Sequence, residues 1–408
     1  MDFSLTPEDE AFRDELRDFL ATHLPEFQEG AEIVDPSLPR QLARRRAWQK
    51  RMAEHCWAAI NWPKEWGGRE ATIMQNFIYS TETAQAKAPG ILNAVGIWHV
   101  GPMIMEWGTE EQKQRWIPGI HYADEVWCQG FSEPEAGSDL ANLRTTAVRD
   151  GDHYAVNGQK IWITTAHHAD WGMFLLRTDP TAISRGAKHE GITAFVVDMH
   201  TPGITVRPIP DVTGEESFCE VIFEDAHIPV TDRLGGEDEG WLVAMGTLSK
   251  ERVGTAGLSI TMASELQDVL ETTRKLNPEA LQDPTLRDRV ARAFTQVELT
   301  RLLNARALSK ILKGEENWPE VPIAKLQWSY LAQTLAELDV DLLGPAGMLW
   351  KEGPDAVDNG QWARLYAYQR YTSVGAGTTE VQKNILAERA LKMPKGRSKK
   401  KDAGTSKG

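Results

Sequence analysis

The stretch GFSEPEAGSDL, from Gly130 to Leu140, combines small residues with serines and backbone donors directly after a strand-like run. A loop of this kind can wrap a phosphate or the polar edge of a ring. Its carboxylates, Glu133, Glu135 and Asp139, argue against a site built only for phosphate. A plain β-turn would need fewer glycines and serines, so the stretch is a candidate binding loop.

A second candidate lies a short distance along the chain, in NGQKIWITT. Alternate residues of a strand face the same side, so Trp162 and Thr164 would present an apolar plate beside a hydroxyl group. Such a pair could contact a ligand. A tryptophan packed in the core is the more common explanation for this residue type, and the strand by itself leaves both interpretations open.

The stretch AMGTLSKERVGTAG contains a possible general base. Ala244, Leu248, Glu251 and Thr255 fall on one face of a helix by their spacing, so Glu251 would face inward. A buried carboxylate without a partner is costly and tends to have a raised pKa, which suits proton abstraction. The alternative, a surface glutamate paired with a neighbouring lysine or arginine, stays open on this helix alone.

Near the C-terminus, TSVGAGTTEVQ runs from Thr372 to Gln382. The glycines on either side of Ala376 let the backbone approach a ligand closely. The helix that resumes after the threonines offers unpaired N–H groups for an anion or a carbonyl oxygen. A surface turn capped by Thr378 or Thr379 is an equally good interpretation of these residues.

Three kinds of segment must position these candidates. Residues 1–123 are mostly helical, and Thr6 with Pro7 and the acidic residues after it predicts the start of the first helix. Residues 124–234 are short β-rich runs, which predict an antiparallel barrel or sandwich. Helical patterns return in residues 235–393 and predict a bundle. The expected fold class is α+β, with helical, β and helical domains in that order.

Turn and cap signals add local predictions. Asp150-Gly151 and Asn157-Gly158 each predict a tight hairpin turn between strands. Asp283, followed by a proline, predicts the start of a helix in the C-terminal bundle.

The charge distribution and the cysteines limit the class of protein. The net charge is −14, yet residues 392–408 carry seven Lys or Arg and one Asp, so the remainder carries −20. An acidic body argues against nucleic acid as a partner. Residues 394–408 are expected to form a disordered basic tail. Three widely spaced cysteines, with no signal segment and no long apolar run, predict a cytoplasmic protein with reduced thiols and no membrane span.

Taken together, these residues resemble the acyl-CoA dehydrogenase family over about residues 1–394. The matching stretches occur in the family's order. They are GTEEQKQRWIPGI (108–120), GFSEPEAGSDLANLRTTAVRDGDHYAVNGQKIWIT (130–164), GITAFVVDM, FEDAHIPV and GAGTTEVQKNILAERAL (375–391).

The resemblance implies an FAD-dependent oxidoreductase that desaturates an acyl-CoA thioester, in the catabolism of fatty, branched or steroid-like acids. A carboxylate removes the α-proton while the β-hydrogen leaves as hydride to the flavin. By resemblance, the residues expected to contact the cofactor are Gln129, Phe131, Ser132, Gly137, Ser138, Trp162, Thr164, Asp341, Gly344, Thr378 and Glu380. Those expected to contact the substrate are Ser138, Arg252 and Gly377. No metal is expected.

The resemblance also bears on the base. In many members the residue at the Ala376 position is the catalytic glutamate. In a branch that includes isovaleryl-CoA and long-chain dehydrogenases, that position is Gly or Ala, and the base comes from the position of Glu251. This chain has the second pattern, so Glu251 is expected to be the base. The backbone N–H of Ala376 would donate to the thioester carbonyl and stabilise the developing enolate.

One stretch departs from the family pattern. Many members carry Arg-x-Phe-Gly between the first two C-terminal helices, where its arginine reaches FAD across the dimer interface. Here the stretch is TTRKLNPEALQDPTLRDR.

The resemblance further implies a dimer or tetramer, with copies of itself or with a homologous subunit, and an electron-transfer flavoprotein as electron acceptor. Two alternatives stay open. One is a flavin oxidase or monooxygenase of the same fold. The other is a non-catalytic subunit of a hetero-oligomeric dehydrogenase.

Overall fold

The computed structural model describes residues 5–28, 39–250, 256–313, 315, 319–351 and 353–394. Along these residues, helices are followed by a β-sheet and then by helices again, which confirms the expected fold class. The predictions for Glu251, Arg252 and residues 395–408 concern parts of the chain outside these ranges.

The N-terminal part is helical. Its helices are α1 (Pro7–His23), α2 (Pro25–Gln28), α3 (Pro39–Glu54), α4 (Ile73–Gln85), α5 (Gly101–Trp107) and α6 (Glu110–His121), with a π-helix (Gly96–Val100) leading into α5. Helix α1 begins as predicted, because the Thr6 hydroxyl oxygen accepts from the Asp9 backbone N–H at 3.2 Å. The Asp9 carboxylate accepts in return from Thr6, which completes a capping box.

The middle part is a largely antiparallel sheet. Its strands are β1 (Trp127–Gly130), β2 (Thr146–Asp150), β3 (His153–Thr164), β4 (Trp171–Arg177), β5 (Ile192–Asp198), β6 (Ile204–Ile209), β7 (Phe218–Pro229) and β8 (Arg233–Leu234); the short helix α7 (Thr181–Ser184) follows β4. The strand order is β6-β7-β3-β2-β4-β5-β8, and β1 lies parallel to β4. Strands β2 and β4 meet only at Thr146 and Arg177 among the recorded pairs.

That narrow joint divides the sheet into two halves that face each other. The ring of Tyr154 on β3 meets the ring of Phe195 on β5 at 4.9 Å, and Phe174 on β4 meets Phe223 on β7 at 5.2 Å. All four rings are buried in one apolar cluster. The two halves therefore enclose a sandwich core, as the spacing of the strands predicts.

One of the two predicted hairpin turns is present and the other is wrong. Asp150 pairs with His153, which leaves Gly151 and its neighbour as a two-residue turn. Gly158 lies instead inside β3, at an irregularity in its pairing with β7. A side chain at Gly158 would come within 2.7 Å of the Thr145 Cα atom, so this glycine permits a close approach between strands.

The C-terminal part is a helical bundle. Its helices are α8 (Gly240–Lys250), α9 (Ala256–Leu276), α10 (Pro284–Leu312), α11 (Glu320–Leu343), α12 (Gln361–Tyr368) and α13 (Thr379–Ile385). Helix α10 begins where the sequence predicts, because the Asp283 carboxylate accepts from the backbone N–H of Thr285 at 2.7 Å and of Leu286 at 3.0 Å. Helices α9, α10 and α11 share a buried core that includes Val269, Val297 and Leu335.

Helix α8 belongs to a different core from the rest of the bundle. Val243 and Ala244 are fully buried in the apolar cluster that also contains the N-terminal helices and one face of the sheet. The helix approaches α5 closely, since a side chain at Gly246 would lie 3.1 Å from the Met103 sulfur. Helix α8 thus packs against both the N-terminal helices and the sheet.

Candidate active site

A buried ion pair shapes the loop that begins at Gly130. The Lys160 ammonium group, which is fully buried in β3, donates to the Glu133 carboxylate at 2.7 Å and to the Phe131 carbonyl at 3.1 Å. Glu133 also accepts from the backbone N–H groups of Arg144 and Thr145 at 2.6 and 2.9 Å. This carboxylate therefore fixes the loop from inside. Its structural role explains why an acidic residue lies in a stretch whose N–H and hydroxyl groups could otherwise donate hydrogen bonds to an anion.

The two charges of this pair depend on each other. Burial lowers the pKa of Lys160 to about 8, and the neighbouring Glu133 carboxylate offsets part of that shift. Burial would by itself raise the pKa of Glu133, but Lys160 and the two backbone donors more than offset it, so this pKa lies below its ordinary value. The pair is thus charged at neutral pH, and the Glu133 carboxylate oxygens accept hydrogen bonds from groups of the protein.

The residues just before that ion pair lie on a shared edge with β3. The Ser132 carbonyl accepts from the Ile161 backbone N–H at 3.0 Å, which joins the loop to the strand. Phe131 is buried and Ser132 is half-buried. Gln129 lies at the end of β1, and its amide oxygen is 2.9 Å from Nδ1 of His99 on the π-helix. The predicted cofactor residues 129–132 are therefore held in place by neighbouring elements.

Trp162 is exposed and does not pack in the core. Its pairing with β7 is interrupted between Lys160 and Ile163, and its φ of 61° lies in the left-handed region. Strict alternation would put Lys160 and Trp162 on one face, but the irregularity buries the lysine and leaves 58% of the tryptophan exposed. Thr164 is exposed on the same side of the strand. The plate and the hydroxyl group predicted from the sequence are both available to a ligand.

Gly137 and Ser138 lie at the outer end of the same loop, and both are exposed. A side chain at Gly137 would meet no atom within 4 Å, so local packing does not require a glycine there. Their predicted roles in binding cofactor and substrate are compatible with this exposure.

The loop around Ala376 has an unusual backbone. Ala376 and Gly377 both have positive φ angles, 53° and 84°, and both residues are exposed. The N–H groups of Val374 and Gly375 donate to the Tyr371 carbonyl. Among the described residues, no acceptor is recorded for the N–H of Ala376. A non-glycine residue in the left-handed region is strained, and strained backbone of this kind is common at binding and catalytic sites.

The start of α13 closes this loop. Thr378 caps the helix, and its hydroxyl oxygen accepts from the Val381 backbone N–H at 3.2 Å. Glu380 is exposed in the first turn, where its own backbone N–H and then the Thr379 hydroxyl group hold the pKa of the carboxylate below its ordinary value. The surface turn capped by a threonine is thus present, and it follows an exposed residue whose N–H has no recorded acceptor in the described part of the chain.

Asp341 and Gly344 lie at the far end of α11. The Asp341 carboxylate accepts from Arg289 of α10 at 2.6 Å. Gly344 ends the helix with φ 64° and ψ −146°, a conformation that suits glycine. From Ser329, which contacts the segment before the Ala376 loop, to Asp341 is about 18 Å along the helix. The two groups of predicted cofactor residues in the bundle are therefore far apart within one chain.

The structure joins some of the predicted residues and separates others. Gln129, Phe131, Ser132, Trp162 and Thr164 meet at one edge of the sheet. Thr378, Glu380, Ala376 and Gly377 form a second group on the loop before α13. Glu251 and Arg252 lie outside the described residues.

Sequence reasoning missed two side chains that these groups rely on. His99 lies in a π-helix, an element that often marks a functional segment. The residues of this helix give no distinct sequence pattern, so the sequence does not single His99 out. Lys160 lies inside a quoted stretch, yet period-2 alternation would have placed it on the exposed face with Trp162. Only the irregularity in β3 shows that it is buried.

Two kinds of feature are absent from the described residues. Among the described helices, none combines the length and the apolarity that crossing a bilayer requires. Nowhere in the described ranges do three or more His, Cys, Asp or Glu side chains gather in a way suited to a metal ion.

Three family models match the chain. The model "Acyl-CoA dehydrogenase, N-terminal domain" matches residues 6–123, "Acyl-CoA dehydrogenase, middle domain" matches residues 128–226, and "Acyl-CoA dehydrogenase, C-terminal domain" matches residues 238–391. Together they cover nearly all of the described chain, in the order of the three parts of the fold.

Known proteins are similar over almost the full length. Acyl-CoA dehydrogenase IpdE1 of Mycobacterium tuberculosis is 36% identical over 392 residues, which cover 95% of this chain and 98% of the relative. The solved structure of the Tcur3481-Tcur3483 steroid ACAD matches with a TM-score of 0.84 at 31% identity, covering 97% of this chain and 100% of that one. The ChsE4-ChsE5 complex from Mycobacterium tuberculosis matches with a TM-score of 0.81 at 32% identity, covering 97% and 100%.

Proposed function

Because the chain belongs to the acyl-CoA dehydrogenase family, we propose that it converts an acyl-CoA thioester to the trans-2-enoyl-CoA, with Glu251 as the base. At the level of the family, it is an FAD-dependent oxidoreductase. The proposal adds the residues that act and the kind of acyl group.

The observation that carries the proposal is the Ala376 loop. Its backbone is held in a left-handed conformation with an N–H group that has no recorded acceptor among the described residues. A donor fixed in this way costs little reorganisation when negative charge develops on the thioester oxygen. The side chain of Ala376 is a methyl group, which is too small to block the carbonyl and cannot act as a base. In the proposed reaction the proton therefore goes to a group on another element.

Helix α8 supports Glu251 as that group. Ala244 and Thr247 are buried, and a residue seven or four positions further along falls on the same helical face. Glu251 is at both spacings. In the proposed reaction the carboxylate takes the proton from the α carbon while the β-hydrogen leaves with its electron pair, and a carbon–carbon double bond forms.

The sheet edge fits a flavin. The exposed Trp162 indole can cover an aromatic ring, while the Thr164 hydroxyl group and Ser132 can meet its polar edge. Gln129 and Phe131 belong to the same edge, and Gly137 and Ser138 are exposed at the outer end of the loop that follows. FAD, when bound, supplies the acceptor for the hydride. Asp341, Gly344, Thr378 and Glu380 are proposed to hold its adenosine half.

The acyl group is proposed to be bulky and ring-containing. Trp98 on the π-helix is a large apolar side chain with 54% of its surface accessible. It offers an apolar contact that a fused-ring acid could cover. A similar solved structure is titled a steroid ACAD. Arg252, Ser138 and Gly377 are proposed to contact the CoA thioester.

The proposed assembly places the site between subunits. Within one chain, Asp341 and the Ala376 loop lie too far apart to contact one end of a single cofactor, so the second group would come from a partner. Two of the similar structures carry titles that join two protein names. The partner is a second copy or a homologous subunit, an electron-transfer flavoprotein takes the electrons, and the enzyme works in the cytoplasm.

The test is an activity screen with purified protein. Short, branched, long and steroid-derived acyl-CoA thioesters are added anaerobically, and bleaching of the flavin absorbance is followed, then coupled to an artificial electron acceptor. We expect bleaching, strongest with the ring-containing thioester. A flavin-loaded protein that is bleached by none of them, alone or with a homologous subunit, would overturn the proposal. Rapid turnover with oxygen as sole acceptor would indicate an oxidase instead.

A further inference from the structure

One residue, Thr372, connects the bundle to the Ala376 loop. It is fully buried at the end of a 3-10 helix (Gln369–Ser373), four residues before Ala376. Its carbonyl oxygen accepts from the Lys325 ammonium group at 2.7 Å and from the Ser329 hydroxyl group at 2.8 Å. Its hydroxyl oxygen lies 3.3 Å from the Gln333 amide nitrogen, which donates to it. The backbone immediately before the loop is therefore fixed from several directions.

The donors form one stripe on α11. Lys325, Ser329 and Gln333 follow one another at intervals of four residues, so they lie on the same face of the helix. Helix α11 is central to the bundle, where it packs against α9 and α10. The stripe therefore couples the loop to a helix that lies in the buried core of the bundle.

Burying the Lys325 ammonium group costs desolvation free energy. It is 6% exposed, and within the described ranges no carboxylate oxygen lies within 4 Å of its nitrogen. Burial lowers the pKa of Lys325, and the more distant Glu380 only partly offsets this. A neutral hydroxyl donor already reaches the same carbonyl from Ser329, so a second, buried and charged donor indicates that the position of this carbonyl matters beyond stability.

The loop beyond Thr372 needs such an anchor. Val374 and Gly375 donate to the Tyr371 carbonyl, but Ala376 makes no recorded hydrogen bond through its own N–H in the described residues. Within the described ranges, the recorded partner of its carbonyl is the Gln382 side chain, at 3.3 Å. The position of the Ala376 N–H group is therefore set mainly by the two ends of the loop, Thr372 on one side and the cap Thr378 on the other.

We propose that Lys325 is a positioning residue for the reaction. By holding the Thr372 carbonyl, its ammonium group sets the position of the Ala376 N–H group relative to the thioester carbonyl. The inference rests on the proposed function, since it assumes that the Ala376 N–H contacts the substrate. Lys325 itself touches neither the thioester nor the flavin. Its effect passes through four residues of backbone.

The test compares three variants of the flavin-loaded enzyme. Lys325→Met keeps the length of the side chain and removes the donor. Ser329→Ala removes the second donor to the same carbonyl and covers the case in which Lys325→Met does not fold. Lys310→Met is the matched control, because Lys310 belongs to the same bundle and pairs with Glu320 of α11 at 2.7 Å.

Two measurements separate positioning from stability. The carbonyl stretching frequency of a bound, non-reducible acyl-CoA thioester reports the hydrogen bond from Ala376, and flavin reduction in single turnovers reports proton abstraction. For Lys325→Met we expect the frequency to move toward that of free thioester and reduction to slow about 10–100-fold, the range for a donor displaced by an ångström or less. Ser329→Ala should shift both in the same direction by less, while Lys310→Met leaves both unchanged. Flavin content should stay at the wild-type level.

Each contrary result has a distinct meaning. If Lys325→Met and Ser329→Ala leave the frequency and the reduction rate at wild-type values, the inference is wrong and the proposed function stands. If the variants lose flavin in proportion to activity, the stripe is structural and the inference is again wrong. If wild-type protein is reduced by no acyl-CoA thioester, the proposed function fails and this inference with it.

Discussion

At the scale of single residues, the proposed reaction divides its work between a side chain and a backbone group. Glu251 must accept a proton, and the Ala376 N–H must donate to the oxygen that gains negative charge. In this chain the two roles are proposed to fall on different segments, the base on the segment after α8 and the donor on the loop before α13. The loop then acts through its backbone, which is held in the left-handed region at Ala376.

Replacing the base tests this division. Glu251→Gln keeps size and hydrogen bonding but cannot take a proton, so we expect flavin reduction by substrate to slow about 10²–10⁴-fold, while flavin and substrate still bind. Stopped-flow absorbance measures the rate. Glu271→Gln, a matched change of an exposed glutamate on α9, should have no effect. Wild-type reduction by Glu251→Gln would show that the base lies elsewhere.

A base delivered from the loop should partly restore the rate. In Glu251→Gln with Ala376→Glu, the new carboxylate occupies a position whose φ is already 53° with an alanine present. A Cβ atom is therefore tolerated, and glutamate adds no further backbone strain. We expect single-turnover reduction at least about tenfold faster than in Glu251→Gln alone. Equal rates in the single and double variants would show that the loop does not reach the α-proton.

At the scale of elements, α11 supports the site at one end and contains a buried carboxyl pair further along. Asp339 is fully buried, and neither of its carboxyl oxygens has a hydrogen-bond donor in the described part of the chain. Burial first, and then Glu265 of α9, raise the pKa of Asp339 well above its ordinary value. Burial likewise raises the pKa of Glu265 to about 7. Asp268 adds negative charge near Glu265, and it pairs with Lys87, two residues after the end of α4, at 2.9 Å.

The raised pKa values of this pair predict that the protein becomes less stable as the pH rises from acid to neutral and beyond. Because both folded pKa values are raised, the folded state retains a proton that the unfolded state releases above about pH 4–5, so stability falls as pH rises toward and through about 7. Asp339→Asn removes one charge and should be more stable than wild type by about 1–3 kcal/mol at pH 8, and by much less at pH 5. Thermal unfolding across this pH range measures it. A stability difference that does not change with pH would contradict the raised pKa values of this pair.

At the scale of the whole molecule, one buried ion pair joins the β part to the C-terminal bundle. Glu215, in the loop between β6 and β7, is 1% exposed and accepts two hydrogen bonds from Arg364 of α12, both at 2.6 Å. Lys351 lies 3.9 Å away. Helix α12 leads directly into Thr372 and the Ala376 loop. The pair therefore ties the helix that leads into the Ala376 loop to the β part of the chain.

Breaking this pair should loosen the joint between the two parts. Arg364→Met leaves the Glu215 carboxylate buried, with Lys351 at 3.9 Å as its remaining recorded cation among the described residues. We therefore expect the free energy of unfolding to fall by about 3–5 kcal/mol. Calorimetry of the flavin-loaded protein should show the lowered transition. Lys87→Met is the matched control, because Lys87 and Asp268 also join separate parts of the chain but are both exposed, and its effect should stay within about 1 kcal/mol. Equal effects of the two changes would contradict the role of the buried pair.

The basic tail should be dispensable. Residues 395–408 lie outside the described ranges, and their composition offers no large apolar side chain for an anchor. Removing them should leave oligomeric state, flavin content and turnover within about twofold of wild type. Sedimentation velocity and the flavin-to-protein absorbance ratio check this. A truncated protein that falls to monomers would show that the tail belongs to the interface.

The sequence by itself determined the order of helices, strands and helices, the cap at Thr6 and the start of α10 at Asp283, because these signals lie within a few neighbouring residues. It also contained the family motifs, which the matching models confirm. The predicted roles of Glu251 and of the cofactor residues stay predictions.

Only the tertiary structure decided which residues support the site. The burial of Lys160 and the exposure of Trp162 follow from an irregularity in the pairing of β3 with β7, which no period-2 pattern contains. The same holds for Lys325 with Thr372 and for Glu215 with Arg364, pairs separated by 47 and 149 residues. Charge and spacing encode local structure, whereas the partner of a buried charge depends on which distant segments pack together.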